Sequence, residues 1–291
     1  MSTNSPVRVM SFNVRTGYAD WGAHAWQRLF SGKTRRGATA AMLRHHNPEI
    51  IGTQEALHWQ LRDIKEDQGD RYDFVGKPRG TSFFNNEYAA ILYDTSRWQM
   101  IETGDFMFSL TPSVYGSMYP DATFPNVSTW VALEGRGPRQ GRRLLVLNTH
   151  LDPYSASARE TSAKQLVATA EELRTRFSCP AVLTGDFNSS FAEAPYTALT
   201  AAKWRDAYST LHGSYAPGSF TYHKYRGLEY VPEGVDQSDP DAPVDFVWWV
   251  GAGEVRSCVV DKSRYDDNGP SVTGWWPSDH YAVVADFDFE T

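Results

Sequence analysis

Apolar and polar positions alternate along Val7–Val14, with Val7, Val9 and Ser11 on one side and Met10, Phe12 and Val14 on the other. That period of two predicts a strand. Thr34–His46, rich in Ala and Arg with Met42 and Leu43, predicts a helix ending near Asn47-Pro48. Ile50–Thr53 reads as a short buried strand and Ala56–Asp67 as a helix. Tyr88–Tyr93, Thr129–Leu133, Leu144–Thr149, Ala181–Leu183, Val244–Val250 and Tyr281–Phe287 are further strands. Ala156–Phe177 is the longest helical stretch, with Leu166, Ala170 and Leu173 recurring at helical spacing. Strands continue to the end without a Pro/Gly/Ser linker or an internal repeat, so residues 1–291 are expected to form a single α/β domain. Long loops fall at 18–33, 110–126, 224–242 and 263–277, where binding or gating commonly resides.

Composition narrows this little. Hydrophobic residues make up 41% and charged residues 22%, ordinary for a soluble enzyme. The net charge of −7 gives no hint of a polyanion-binding protein, and two cysteines, Cys179 and Cys258, do not advertise a disulfide framework. The opening residues Met-Ser-Thr-Asn-Ser-Pro-Val form no apolar signal region, and no apolar run approaches the length of a membrane span. A soluble, cytoplasmic protein is the expectation.

The informative feature is a set of polar residues placed just after apolar strand cores. Asn13 lies in Met-Ser-Phe-Asn-Val, and Gln54-Glu55 follows Ile-Ile-Gly-Thr. His150 follows Leu-Val-Leu-Asn-Thr, with Asp152 two residues on; Asp186 and Asn188 follow Val-Leu-Thr-Gly. Asp245 interrupts Val-Asp-Phe-Val-Trp-Trp, and Asp279-His280 precedes Tyr-Ala-Val-Val. Any one of these is ordinary turn or cap chemistry. Six in one chain point to a shared cleft at a sheet edge, with hard oxygen ligands and two imidazoles for protons or orientation.

Ser-Phe-Asn, Gln-Glu, Asn-Thr-His-Leu, Gly-Asp-Phe-Asn and Ser-Asp-His, in that order, resemble the signature of the endonuclease/exonuclease/phosphatase superfamily, from Val7 to Phe287. The resemblance implies a four-layered α/β sandwich, two packed β-sheets flanked by helices, with a cleft at one edge. It implies that Asn13, Glu55 and Asp279 hold a divalent metal, Mg²⁺ or Mn²⁺. It makes Asp186 the residue that orients or deprotonates the attacking water, and Asn188 its phosphate-binding neighbour. His280 matches the active-site His with Asp245 as carboxylate partner, and His150 the second His, which contacts a phosphate oxygen. Glu87 falls where relatives place a carboxylate steadying that second His; a surface Glu at a strand start is the alternative. Asp152 and Arg159 match a polar pair bracing the loop, or else serve the start of the next helix.

The chemistry suits these roles, because phosphoryl transfer needs charge stabilisation and an aligned nucleophile more than a covalent intermediate. No Gly-x-Ser-x-Gly motif is present. Trp248 and Trp249 read as packing residues. Trp21, Trp26, Tyr115, Tyr119, Trp275 and Trp276 are candidates for lining the mouth, with burial under the loops the alternative. Lys33, Arg35 and Arg36 form the densest basic cluster, either a solvated surface or a phosphate contact. The favoured partner is a small phosphorylated substrate. A nuclease acting on DNA or RNA is the first alternative; a fold recruited for a phosphate-free reaction, or a non-catalytic binding protein, is the second. Oligomeric state leaves no mark in the sequence.

Overall fold

Each apolar strand core finds its place in one of two mixed sheets. The computed structural model describes residues 5–19, 25–26, 34–80, 82, 86–230 and 242–289. Trp21, Lys33 and the central parts of the loops at 18–33 and 224–242 lie outside the described residues. The first sheet runs, in spatial order, Glu254–Asp261 (β11), Ala282–Asp288 (β14), Val7–Asn13 (β1), Ile50–Ala56 (β2), Tyr88–Asp94 (β4) and Tyr72–Val75 (β3). The second runs Trp98–Met107 (β5), Val127–Gly135 (β6), Arg143–His150 (β7), Ala181–Asp186 (β8), Asp245–Val250 (β10) and Arg205–Asp206 (β9). A small hairpin pairs Tyr265–Asp266 (β12) with Gly269–Pro270 (β13).

The two sheets share a plan. Each has one parallel pair at its centre, β1 with β2 and β7 with β8, flanked by antiparallel neighbours. A parallel pair needs a crossover, and the helices Arg35–His46 (α1) and Ala156–Phe177 (α3) supply it. Thr34 caps α1 by accepting the Gly37 N–H, and Asn47, at φ 50°, ends it in left-handed backbone. Ser155 caps α3 in the same way by accepting the Ala158 N–H.

Alternation along the strands builds the layers. Val7 and Val9 of β1, Val146 of β7, Val182 of β8 and Val247 and Trp249 of β10 meet between the sheets. Met10 and Phe12 face the other way, onto Ala38 and Met42 of α1 and Leu61 and Ile64 of His58–Asp67 (α2). Leu145, Leu147, Leu183 and Trp248 do the same on the second sheet, under Leu166 and Leu173 of α3 and Leu199 of Ala194–Ala201 (α4). The result is a four-layered sandwich, with the short helix Ala207–His212 (α5) against β10 and β11. Adjacent Trp248 and Trp249 serve opposite faces, both in packing.

Several boundaries differ from the sequence reading, by up to three residues. Ala56 is the last residue of β2, and α2 begins at His58. The strands β3, β5, β9 and β11, which the apolar pattern does not announce, are the four sheet edges.

Candidate active site

The site grows out of the period of two. On the inner face of β1 the series Val7, Val9, Ser11 ends on Asn13; on β7 Val146, Asn148 ends on His150; on β8 Val182, Thr184 ends on Asp186. Each series passes from an apolar residue through a small polar one to a candidate functional one. The polar tier is buried and centres on Asn148, whose Oδ1 accepts from Gln54 Nε2 (2.7 Å) and Thr184 Oγ1 (2.9 Å). Asn148 Nδ2 donates to the carbonyls of Thr53 (2.8 Å) and Ala90 (2.9 Å). The carboxyl ends of both parallel pairs thus open at one edge, where α/β sheets commonly place ligands.

Glu55 arrives differently. Gln54 holds the inner-face position of β2, so simple alternation would send Glu55 outward. A register irregularity between Thr53 and Ala56, with Glu55 at φ 59°, re-aims it. Its Oε1 accepts from Asn13 Nδ2 at 3.0 Å and its Oε2 from the Thr16 N–H at 3.2 Å. The Arg15 guanidinium lies 3.8 Å from Glu55 Oε2 and 3.5 Å from Asp279 Oδ2. Burial opposes the charge of Glu55, but His150, Arg15, His280 and the Asn13 amide hold its carboxyl down at about 2. Near neutral pH the cations that act are Arg15 and His280, since His150 is neutral there.

On the second sheet Asp186 is the hub. Its Oδ1 accepts the Asn188 N–H at 2.9 Å, which the left-handed backbone of Asn188 (φ 47°) allows. Its Oδ2 faces the cleft, 3.0 Å from Asn13 Nδ2, 3.6 Å from His150 Nε2 and 3.9 Å from His280 Nε2. Burial, then the charge of Asp245, push the Asp186 carboxyl above its ordinary range. His280 Nδ1 lies 2.8 Å from Asp245 Oδ2. Burial works against an imidazolium there, but Asp245, Asp186 and Asp279 outweigh it and raise His280 to about 10. His150 goes the other way: burial pushes it below its ordinary value despite Asp186 and Glu55. Asn188 Nδ2 donates to His150 Nε2 (2.9 Å) and to the Leu151 carbonyl (3.0 Å), so that nitrogen of His150 is unprotonated. One imidazole is a cation, the other neutral.

The remaining candidates fall nearby. Glu87 pairs with Arg79 at 2.6 Å, not with His150; burial and then Glu55 push its carboxyl up to about 7. Asp152 accepts from the N–H groups of Thr123 (2.5 Å), Tyr154 (2.9 Å) and Ser155 (2.8 Å), and Arg159 donates to its carbonyl and to Glu193. Both brace the loop after β7. Arg35 is fully buried and donates to the carbonyls of Val14 and Arg15, while Arg36 is ion-paired to Asp63, Glu66 and Asp67. The basic cluster at α1 is therefore structural at both described arginines. Trp26, 1% exposed, packs under α1 with its indole N–H on Asp63, rather than at a mouth. Tyr115 and Tyr119 donate to the Gly80 carbonyl and to Gln165, and Trp276 packs on His223 and Tyr281. Arg15 is the site residue that the strand pattern leaves unmarked; a basic residue two places beyond Asn13 is its one signal.

On the first-sheet half, Glu55 and Asp279 are hard oxygen donors of the kind a divalent ion takes, and the Arg15 guanidinium lies 3.8 Å from the one and 3.5 Å from the other. Asn13 turns its amide nitrogen toward Glu55 and Asp186 while its oxygen accepts the Arg15 N–H. Coordination by Asn13 therefore requires the amide to turn over. Asp186, Asp245 and His280 form a second buried group whose ligand atoms lie within 4.8 Å of one another. To serve as a ligand there, His280 would first have to release the proton that its carboxylate neighbours hold to about 10.

Two mixed sheets packed face to face carry this edge of carboxylates, histidines and asparagines, an arrangement suited to phosphoester hydrolysis. The chain belongs to the Endonuclease/Exonuclease/phosphatase family, whose model matches residues 10–280. A family protein from Bacteroides thetaiotaomicron of known structure is 27% identical over 99% of both chains, with a TM-score of 0.80. A mannosyl-6-phosphatase from the same organism is also 27% identical, covering 97% of this chain and 100% of that one, at a TM-score of 0.80. The human Nocturnin catalytic domain shares the fold at 19% identity and a TM-score of 0.71, over 98% of this chain and 95% of that one. No curated protein sequence is found to match the chain. No helix among the described residues is long and apolar enough to cross a membrane.

Proposed function

We propose that the chain hydrolyses a phosphate ester of a small molecule by metal-assisted attack of water. The observation that carries this reading is the convergence on Asp186 Oδ2 of His150 at 3.6 Å and His280 at 3.9 Å. In this reading Asp186 orients the attacking water and takes its proton, a task its raised pKa favours. Asn188 helps hold that water and the phosphate, and neutral His150 lies beside a phosphate oxygen. His280, kept positive by Asp245, stabilises the charge that grows on the phosphoryl oxygens. Glu55 and Asp279, with Asn13 after its amide turns, would hold Mg²⁺ or Mn²⁺. Such an ion supplies Lewis-acid stabilisation of the phosphoryl oxygens. Burial pushes both thiols up, that of Cys179 and that of Cys258, which argues against a cysteine nucleophile.

Preference for a small ester is supported by three things. The net charge is −7, both described arginines of the densest basic cluster are engaged inside the protein, and a 27% identical relative is a mannosyl-6-phosphatase. Duplex binding draws on several free Lys/Arg–phosphate contacts, each contributing through counterion release. The test compares kcat/KM on sugar phosphates, other small phosphate mono- and diesters, an oligonucleotide and a plasmid at two salt concentrations. The small esters are expected to lead and to vary little with salt. Efficient plasmid cleavage that falls steeply with salt, with small esters inert, would replace this reading by a nuclease.

A further inference from the structure

A short segment with no role in the chemistry above ties the two sheets together beside His280. The Thr221 carbonyl accepts the Tyr281 N–H at 2.7 Å, and Tyr222 forms an antiparallel bridge with His280. The Asp279 carbonyl accepts the N–H groups of His223 at 2.8 Å and Lys224 at 3.2 Å. These bonds grip the run into β14, which belongs to the first sheet. The Thr221 hydroxyl meanwhile accepts the N–H of Val244 at 3.0 Å and of Asp245 at 3.1 Å, at the start of β10 in the second sheet. Val244 in turn accepts the N–H of Phe187, the residue after Asp186, at 2.8 Å.

His280 and Asp245 are thus carried by different sheets, and their 2.8 Å contact depends on how those sheets are held at this edge. Asp245 Oδ1 has no hydrogen bond, so the carboxylate itself is anchored through Oδ2 and its orientation rests on its backbone. We propose that Thr221 is a positioning residue for the His280–Asp245 pair, fixing the separation of the two groups through one hydroxyl and one carbonyl. The assignment rests on the proposed function insofar as that pair belongs to the reacting centre. Thr221 is fully buried, and its hydroxyl, with two lone pairs, can take both N–H groups, which an isosteric valine cannot. Loss of that oxygen strands two donors, that of Asp245 buried and that of Val244 partly so, and frees the start of β10 to shift away from His280.

The test pairs turnover of p-nitrophenyl phosphate and bis(p-nitrophenyl) phosphate in Mg²⁺ with ¹⁵N NMR of the histidine-labelled full chain. Thr221→Val should lower kcat about tenfold or more while leaving KM within about twofold, because small misplacement of a reacting group is costly. Thr221→Ser should restore most of the rate. In a double-mutant cycle Thr221→Val should add little to Asp245→Asn, as residues acting through one contact are not additive. The His280 Nδ1–H should be protected from exchange in wild type and Thr221→Ser, and exchange freely in Thr221→Val, with the cooperative melt preserved. If Thr221→Val does not fold, Thr221→Cys, a weaker acceptor of similar size, takes its place with the same readouts. A variant that keeps both kcat and the protected N–H, or whose loss adds fully to that of Asp245→Asn, would overturn the assignment. Absence of turnover in wild type would count against the proposed function alone, and the NMR comparison would then decide the role of Thr221.

Discussion

Asn13 and Asp186, the last residues of β1 and β8, meet across the gap between the sheets with Nδ2 3.0 Å from Oδ2. They are 173 positions apart in the chain, and their contact joins the half of the site suited to a cation to the half suited to water attack.

The first consequence concerns Asp186 and His280. Both are assigned to the step in which water attacks and charge grows, not to substrate binding. Asp186→Asn and His280→Ala should each lower kcat on the order of 10²-fold or more, with little change in KM. Steady-state kinetics on a small phosphate ester decide this. Variants within a few-fold of wild type would place the chemistry elsewhere.

Ion dependence follows from Glu55. Chelation should abolish turnover, and Glu55→Ala should nearly do so while weakening Mg²⁺ or Mn²⁺ binding measured by calorimetry on the folded protein. Full activity in excess chelator would sink the metal-assisted mechanism.

Asp245 sets the alkaline limit. His280 is raised to about 10, so its positive charge, and the activity that needs it, should persist until the pH rises through that value. Its contribution to stability has the same sign: fully present below the ordinary imidazole pKa, and lost as pH climbs through about 10. Asp245→Asn removes the leading charge that opposes burial, so the basic limb of the kcat–pH profile should move down by roughly 1–3 units. A limb that stays in place would show that Asp245 does not govern the imidazole.

Gly52 tests the buried polar tier. A Cβ there would fall 1.8 Å from Thr184 Oγ1 and 2.7 Å from Asn148 Oδ1. Gly52→Ala should therefore destabilise the fold by roughly 1–3 kcal/mol in urea unfolding, from overpacking between the sheets. Thr184→Ala in the same chain should recover part of the loss. An unchanged midpoint would mean that the sheets yield freely at this level.

Much of this protein is legible in its sequence, and the boundary has a physical cause. The eight strands announced by apolar patterning are the inner strands of the two sheets, β14, β1, β2 and β4 in one, β6, β7, β8 and β10 in the other. Inner strands are buried on both faces and must be apolar almost throughout. Edge strands are not: in β11 Glu254, Arg256 and Ser257 are exposed, as are Gln99, Met100 and Ile101 in β5, so neither carries a continuous apolar run. The candidate site was visible as polar residues after strand cores, because burial on one face sets their spacing locally. Tertiary structure alone decided which partners those residues found. It turned Glu55 inward at an irregularity that alternation does not foretell, gave Glu87 to Arg79 and put Arg35 to use inside the protein. It also set Thr221 between Asp245 and Tyr281. Those pairings depend on how two sheets stack, and stacking joins residues too far apart in the chain for any local period to relate them.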